Sequence, residues 1–128
     1  MTIHMFHSTM IKTILIKSDG SFSELRVPKG PLMFENINRA INVESTEGVS
    51  LTHFDPQFKL AIFFDDLMQK NNRPINQRAT RFAQKTHYPD RIDQNIVLSG
   101  DCIIMREDDE DIIDFTIKDF WKLYKKSG

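Results

Sequence analysis

Gly100-Asp101-Cys102-Ile103-Ile104-Met105-Arg106, then Glu107-Asp108-Asp109-Glu110-Asp111, then Ile112-Ile113-Asp114-Phe115 is the stretch from which the architecture can be read. Two short isoleucine-rich runs flank an acidic turn, the pattern of an antiparallel hairpin. Thr116 follows, where its hydroxyl can accept from the backbone near Asp119 and so cap a helix. Ile117, Phe120, Trp121 and Tyr124 recur at i, i+3, i+4 and i+7, an apolar helical stripe. Lys122, Lys125 and Lys126 place positive charge at the helix end that favours it.

The same alternation appears upstream. Ile11 to Lys17 is apolar on one face and mostly apolar on the other, as in an interior strand. Asp19-Gly20 supplies the positive φ of a tight turn, and Phe22 to Val27 alternates again, so residues 10–27 read as a hairpin. Pro31 opens a helix over about 31–41, with Leu32, Met33, Ile37, Ala40 and Ile41 near helical spacing. Glu44 to Gly48 reads as a polar turn. Val49, Leu51 and His53 alternate, Asp55-Pro56 breaks the run, and Lys59 to Phe64 completes a second hairpin. Residues 65–75 read as a loop, 76–84 as a short helix around Ala79, Phe82 and Ala83, and 87–94 as irregular. Hairpins interspersed with helices predict an α+β fold. We expect a largely antiparallel sheet of three hairpins with two or three short helices packed on one side. The core candidates are Phe22, Leu51, Ile62, Phe64, Phe82, Ile104, Phe115, Phe120 and Trp121.

At 128 residues the chain is sized for one domain, residues 10–128, with 1–9 expected to be a flexible extension. Such a chain buries roughly 68% of its unfolded surface, enough for a core without covalent staples. The net charge of −1 argues against a dedicated polyanion binder but leaves room for a local basic patch. The single cysteine, Cys102, excludes an intrachain disulfide and a four-cysteine zinc site, and fits a reducing, intracellular, cytoplasmic setting. The longest strongly apolar run, Leu60 to Phe64, is far short of the ~20 residues that span a bilayer, so no membrane partner is expected.

Asn76-Gln77-Arg78-Ala79-Thr80 and Gly100-Asp101-Cys102-Ile103-Ile104, with Leu60-Ala61-Ile62-Phe63-Phe64-Asp65-Asp66 ahead of them, carry a resemblance. Over residues 10–125 the chain resembles a small domain family of unknown function found in phages, plasmids, other mobile elements and large DNA viruses. The Asn and Gly positions of that pattern stand here as Asn76 and Gly100. The resemblance implies a small intracellular accessory domain, in a host cytoplasm if viral, and transfers no catalytic residue.

Gln69 to Arg91 is the first candidate site. It holds Lys70, Arg73, Arg78, Arg81, Lys85 and Arg91 against the single acid Asp90. Such a cluster can neutralise phosphates, with His87 and Tyr88 placed to stack on a base. The alternative is a solvated loop paired with the acidic hairpin. Asn76 fits a helix N-cap accepting from Arg78 or Ala79 N–H, or an amide beside Arg78 that contacts a ligand. Gly100 reads as structural, through an unusual backbone angle or a close approach. Cys102 reads as a buried apolar residue. The acidic turn lacks the spacing and turn glycine of a calcium loop, and no metal or cofactor is expected.

No catalytic constellation is found, and the reading leans away from an enzyme. Three hypotheses stand. The first is a non-enzymatic interaction module acting on a host or viral macromolecule, most plainly a protein. The second is a nucleic-acid or nucleotide-binding module using Arg73, Arg78, Arg81 and Lys85. The third is a metal-assisted hydrolase in which acids such as Asp65, Asp66 and Asp101 converge. Hairpin edges also allow a homodimer.

Overall fold

The structure is a computed structural model and describes residues 10–51, 59–86, 96–109 and 111–127. Within these residues the order is β1 (Met10–Ile16), β2 (Phe22–Pro28), α1 (Met33–Ala40), β3 (Thr46–Leu51), β4 (Lys59–Asp65), α2 (Gln77–Thr86), β5 (Cys102–Asp108), β6 (Asp111–Ile113) and α3 (Ile117–Ser127). Every strand pairing is antiparallel, in the order β2-β1-β5-β4-β3, with β6 also on β5. The α+β class and the three hairpins expected from the sequence are present.

β5 is the axis of the sheet. Ile103 pairs with Leu15 of β1 on one side and Phe63 of β4 on the other, and Ile104 does the same with Ile14 and Ile62. Further along, Arg106 pairs with Ile113, so β6 continues the edge that β1 leaves. The hairpin β1–β2 turns through Lys17–Ser21, where Lys17 N–H donates to the Ser21 carbonyl at 2.8 Å and Gly20 takes φ +95°.

Helices cover both faces of the sheet, not one. Ile14, Ile16, Ile62, Phe64, Cys102 and Ile104 share a core with Ala79, Phe82 and Ala83 of α2 and Phe120 and Leu123 of α3. Ile11, Leu15, Val27, Ile103 and Met105 share another with Met33 and Ile37 of α1. The physical reason lies in β1 and β5, which carry apolar side chains at successive positions. A strand with two apolar faces must be covered twice.

Most of the core candidates are buried: Leu51, Ile62, Phe64, Phe82, Ile104, Phe115 and Phe120. Phe22 is only partly buried, and Trp121 is not core at all, standing 40% exposed on α3. Two boundaries also differ from expectation. Pro31 precedes the N-cap of α1, which is Leu32, itself 60% exposed. β3 begins at Thr46, inside the expected turn, because Gly48 pairs with Phe63 and the Phe63 ring lies over it. A Cβ at position 48 would stand 2.6 Å from that ring, so the glycine makes the cross-strand contact fit. His53, His87, Tyr88, Arg91 and residues 1–9 lie outside the described residues.

The expected cap of the last helix forms. Asp119 N–H donates to Thr116 Oγ1 at 3.1 Å, and Thr116 N–H to Asp119 Oδ2 at 3.4 Å. This reciprocal pair satisfies donors that a helix start leaves open. No described helix is long and apolar enough to cross a membrane.

Candidate functional site

The basic segment divides into a structural part and a surface part. Asn76 belongs to the first. Its Oδ1 accepts from Ala79 N–H at 3.0 Å, the N-cap predicted from the sequence. Its Nδ2 donates to the carbonyls of Ile16 and Gly100, both at 2.9 Å. One wholly buried amide therefore ties the end of β1, the entry to β5 and the start of α2. Backbone contacts reinforce this knot: Asn76 N–H donates to Leu98, Gly100 N–H to Pro74, and Ile75 bridges Ser99. Asn76 is thus a core residue, not a surface contact for a ligand.

Arg73 is also structural. Its Nε donates to Asp65 Oδ2 at 3.0 Å and its Nη2 to the Asn42 carbonyl at 2.7 Å. Asp65 is 2% exposed and also accepts from Asn71 and from Leu67 N–H. Burial pushes the Asp65 carboxyl up, but the hydrogen bonds from Asn71, Leu67 and Arg73 outweigh it and hold the group below its ordinary value. Gly100 completes this end. It takes φ +81°, and a Cβ there would stand 3.3 Å from the Arg73 stem, so both reasons anticipated for a glycine apply.

Among the described residues the acidic hairpin does not pair with the basic segment. Asp111 meets Lys29 at 2.6 Å and Asp109 meets Lys59 at 3.9 Å. The Lys29 ammonium and the Ile112 N–H hold the Asp111 carboxyl below its usual range. Nor do the three acids of the hydrolase hypothesis converge. Asp65 is engaged with Arg73, Asp66 accepts from Ser45 Oγ at 3.4 Å, and Asp101 accepts from Ser18 N–H at 3.0 Å. Among the described residues no group of three metal-ligating side chains forms. Cys102 is wholly buried, and burial, then the nearby Asp101 charge, pushes its thiol up to about 12. It is no nucleophile at neutral pH.

The surface part is a face built from α2, α3 and the start of β2. The Arg78 guanidinium lies over two rings, 4.9 Å from the Phe22 centroid and 5.0 Å from the Tyr124 centroid. Trp121 packs edgewise on both rings, with centroids 5.2 Å from Phe22 and 5.8 Å from Tyr124. Lys125 Nζ sits 5.7 Å from the Trp121 ring. Cation, ring, ring and cation follow one another across the surface.

Two clefts flank this row. One, of about 200 Å³, is lined by Gly20, Gln77, Arg78, Arg81 and Tyr124. The other is lined by Lys118, Trp121, Lys122 and Lys125. Among the described residues, none of Arg78, Arg81, Lys118, Lys122 and Lys125 forms an ion pair. α2 contains no acid, and the one acid of α3, Asp119, is engaged in the cap and stands 3.8 Å from Arg106.

Of the residues proposed from the sequence, Arg78 and Arg81 are brought together here. Arg73 and Asn76 are not, and the Lys85 side chain lies outside what the structure describes. Lys118, Trp121, Lys122, Tyr124 and Phe22 were missed as surface residues. A signal for them was present: Lys118, Lys122 and Lys125 recur at i, i+4 and i+7, one helical face with Trp121 beside it.

No family model matches the chain, and no curated protein matches it. Among solved structures, the chain is similar in fold to the crystal structure of the small RNA methyltransferase HEN1. The TM-score is 0.66 at 11% identity, over 91% of this chain and 16% of that one. The likeness is one of fold, and the chain spans a small part of that protein's length.

Proposed function

We propose that this chain binds single-stranded nucleic acid along the α2–α3 face. The observation that carries the reading is the row from Arg78 through Tyr124 and Trp121 to Lys125, in which two cations with no carboxylate partner among the described residues flank two aromatic rings. Lysines and arginines neutralise phosphates, and an exposed ring offers a platform to an unpaired base. A duplex hides its base faces, so Trp121 favours a single strand. A cation held over a ring keeps its charge and its N–H edges for a ligand.

This reading takes up the second hypothesis, a nucleic-acid-binding module, in place of the first, an interaction module acting on a protein. It also relocates the basic site, from a continuous segment over 70–91 to Arg78 and Arg81 joined by the lysines of α3. The neighbour of similar fold is named for small RNA, which makes an RNA strand the first ligand to try.

The test is fluorescence anisotropy with an internally labelled uridine dodecamer. With about four phosphates neutralised, affinity should fall roughly 50-fold between about 50 and 200 mM salt. Trp121→Ala should weaken binding by about 1–3 kcal/mol while leaving the salt slope unchanged. No binding at about 50 mM salt sinks the proposal. Equal competition by polyglutamate also sinks it, and would reassign the face to an acidic protein partner.

A further inference from the structure

We infer that the cleft lined by Gly20, Gln77, Arg78, Arg81 and Tyr124 seats a phosphate monoester at the end of the bound strand. This deepens the strand-binding proposal and rests on it.

Size comes first. The cleft holds about 200 Å³. Pockets that enclose whole small ligands run to roughly 300–1,000 Å³, so this one is small for such a ligand and ample for a phosphate group. Charge comes next. Arg78 and Arg81 are three residues apart on α2, neighbours on one helical face, and neither is in an ion pair with a described residue.

Position comes third. The Arg78 guanidinium is held at the cleft wall over the Phe22 and Tyr124 rings, 4.9 and 5.0 Å from their centroids. A guanidinium fixed in this way pairs best with an anionic oxygen. The acid nearest in sequence is already engaged. Asp19, beside Gly20 in the β1–β2 turn, accepts from Ser21 N–H at 2.8 Å and Ser21 Oγ at 2.7 Å. Gly20 adds no side chain to the wall, and a Cβ there would meet nothing within 4 Å.

A monoester fits better than an internal diester. It carries about −1.5 to −2 charges at neutral pH and presents three acceptor oxygens, which two guanidinium forks can share. An internal diester carries one charge and needs room for chain on both sides. The adjoining row of Tyr124 and Trp121 then receives the bases nearest that end.

The experiment compares internally labelled uridine dodecamers that carry a 5′-phosphate, a 3′-phosphate or hydroxyls at both ends, with inorganic phosphate as a separate ligand. One phosphorylated strand should bind about tenfold or more tighter than the dihydroxyl strand, which also names the end recognised. Arg81→Gln should abolish that preference while the dihydroxyl strand loses only about threefold. Arg78→Lys, which keeps the charge but removes the planar fork, should also erase most of it. Equal affinity of the three strands, with salt dependence intact, overturns the end seat and leaves the strand-binding reading standing. Inorganic phosphate binding as tightly as the phosphorylated strand also overturns it, because the strand would then contribute nothing. No binding of any strand at about 50 mM salt removes both readings.

Discussion

Arg73 and Arg78 are five residues apart and fold into opposite circumstances. Arg73 lies against Asp65, a carboxylate 2% exposed, and its guanidinium also reaches the Asn42 carbonyl. Arg78 meets two aromatic rings and, among the described residues, no acid. The difference shows how a folded chain sorts a run of like charges. Where a carboxylate is buried, as Asp65 is, a cation comes with it, because a buried charge without a partner costs several kcal/mol. Where an arginine lies over rings instead, no carboxylate neutralises it and its charge remains available to a ligand.

The contrast can be broken most severely at Asn76. Asn76→Ala removes the cap of α2 and leaves the Ile16 and Gly100 carbonyls without their donor. The expected loss is about 3–4 kcal/mol in urea unfolding, with Cys102 alkylated faster as the buried end opens. A loss below about 1 kcal/mol would show that the knot is dispensable.

Asp65→Asn comes next, with an expected loss of about 2–3 kcal/mol near neutral pH. Its folded pKa lies below the ordinary value of 3.8, so the carboxylate's contribution is fully present above that value. It is lost as pH falls through the depressed value. The variant should therefore lack the part of the acid destabilisation that the parent shows below about pH 4, read from thermal midpoints against pH. Parallel curves would contradict the role given to this pair.

Gly100→Ala should cost about 1–2 kcal/mol, because the backbone is left-handed there. The new Cβ would also press on the Arg73 stem at 3.3 Å. A midpoint shift within error would mean that this end relaxes easily. The smallest change in stability sharpens the comparison from the other side. Arg78→Ala should cost only about 0.5–1 kcal/mol of stability, yet reduce the salt slope of strand binding by about one. A large unfolding effect with unchanged binding would place Arg78 with Arg73 as a structural cation.

Much of the architecture was legible in local pattern. The Asp19-Gly20 turn, the strand over Phe22 to Val27, and the caps at Asn76 and Thr116 depend on neighbours within a few residues, and each formed. Trp121 was misassigned because a stripe at i, i+3, i+4 and i+7 gives a face but not its width. Phe120 and Leu123 fill the buried side, and Trp121 is left at the rim. Glu44 to Gly48 reads as a turn because it is polar throughout, with no apolar side chain to mark a strand. The Phe63 ring that covers Gly48 comes from the partner strand.

The chain's local chemistry determined which segments become strands, helices and turns, since hydrophobic period, positive φ and capping act over a handful of bonds. The tertiary structure alone decided that both faces of the sheet are covered, that the amide of Asn76 ties three distant segments, and that Asp65 claims Arg73. It also set Arg78 beside Tyr124 and Trp121. Apart from the Asp65–Arg73 pair, eight residues apart, those outcomes turn on side chains that meet across long stretches of chain, as Asn76 does with Gly100 and Ile16, 24 and 60 residues away. No local pattern records such a meeting, because its free energy comes from burial and pairing between groups that are strangers in sequence.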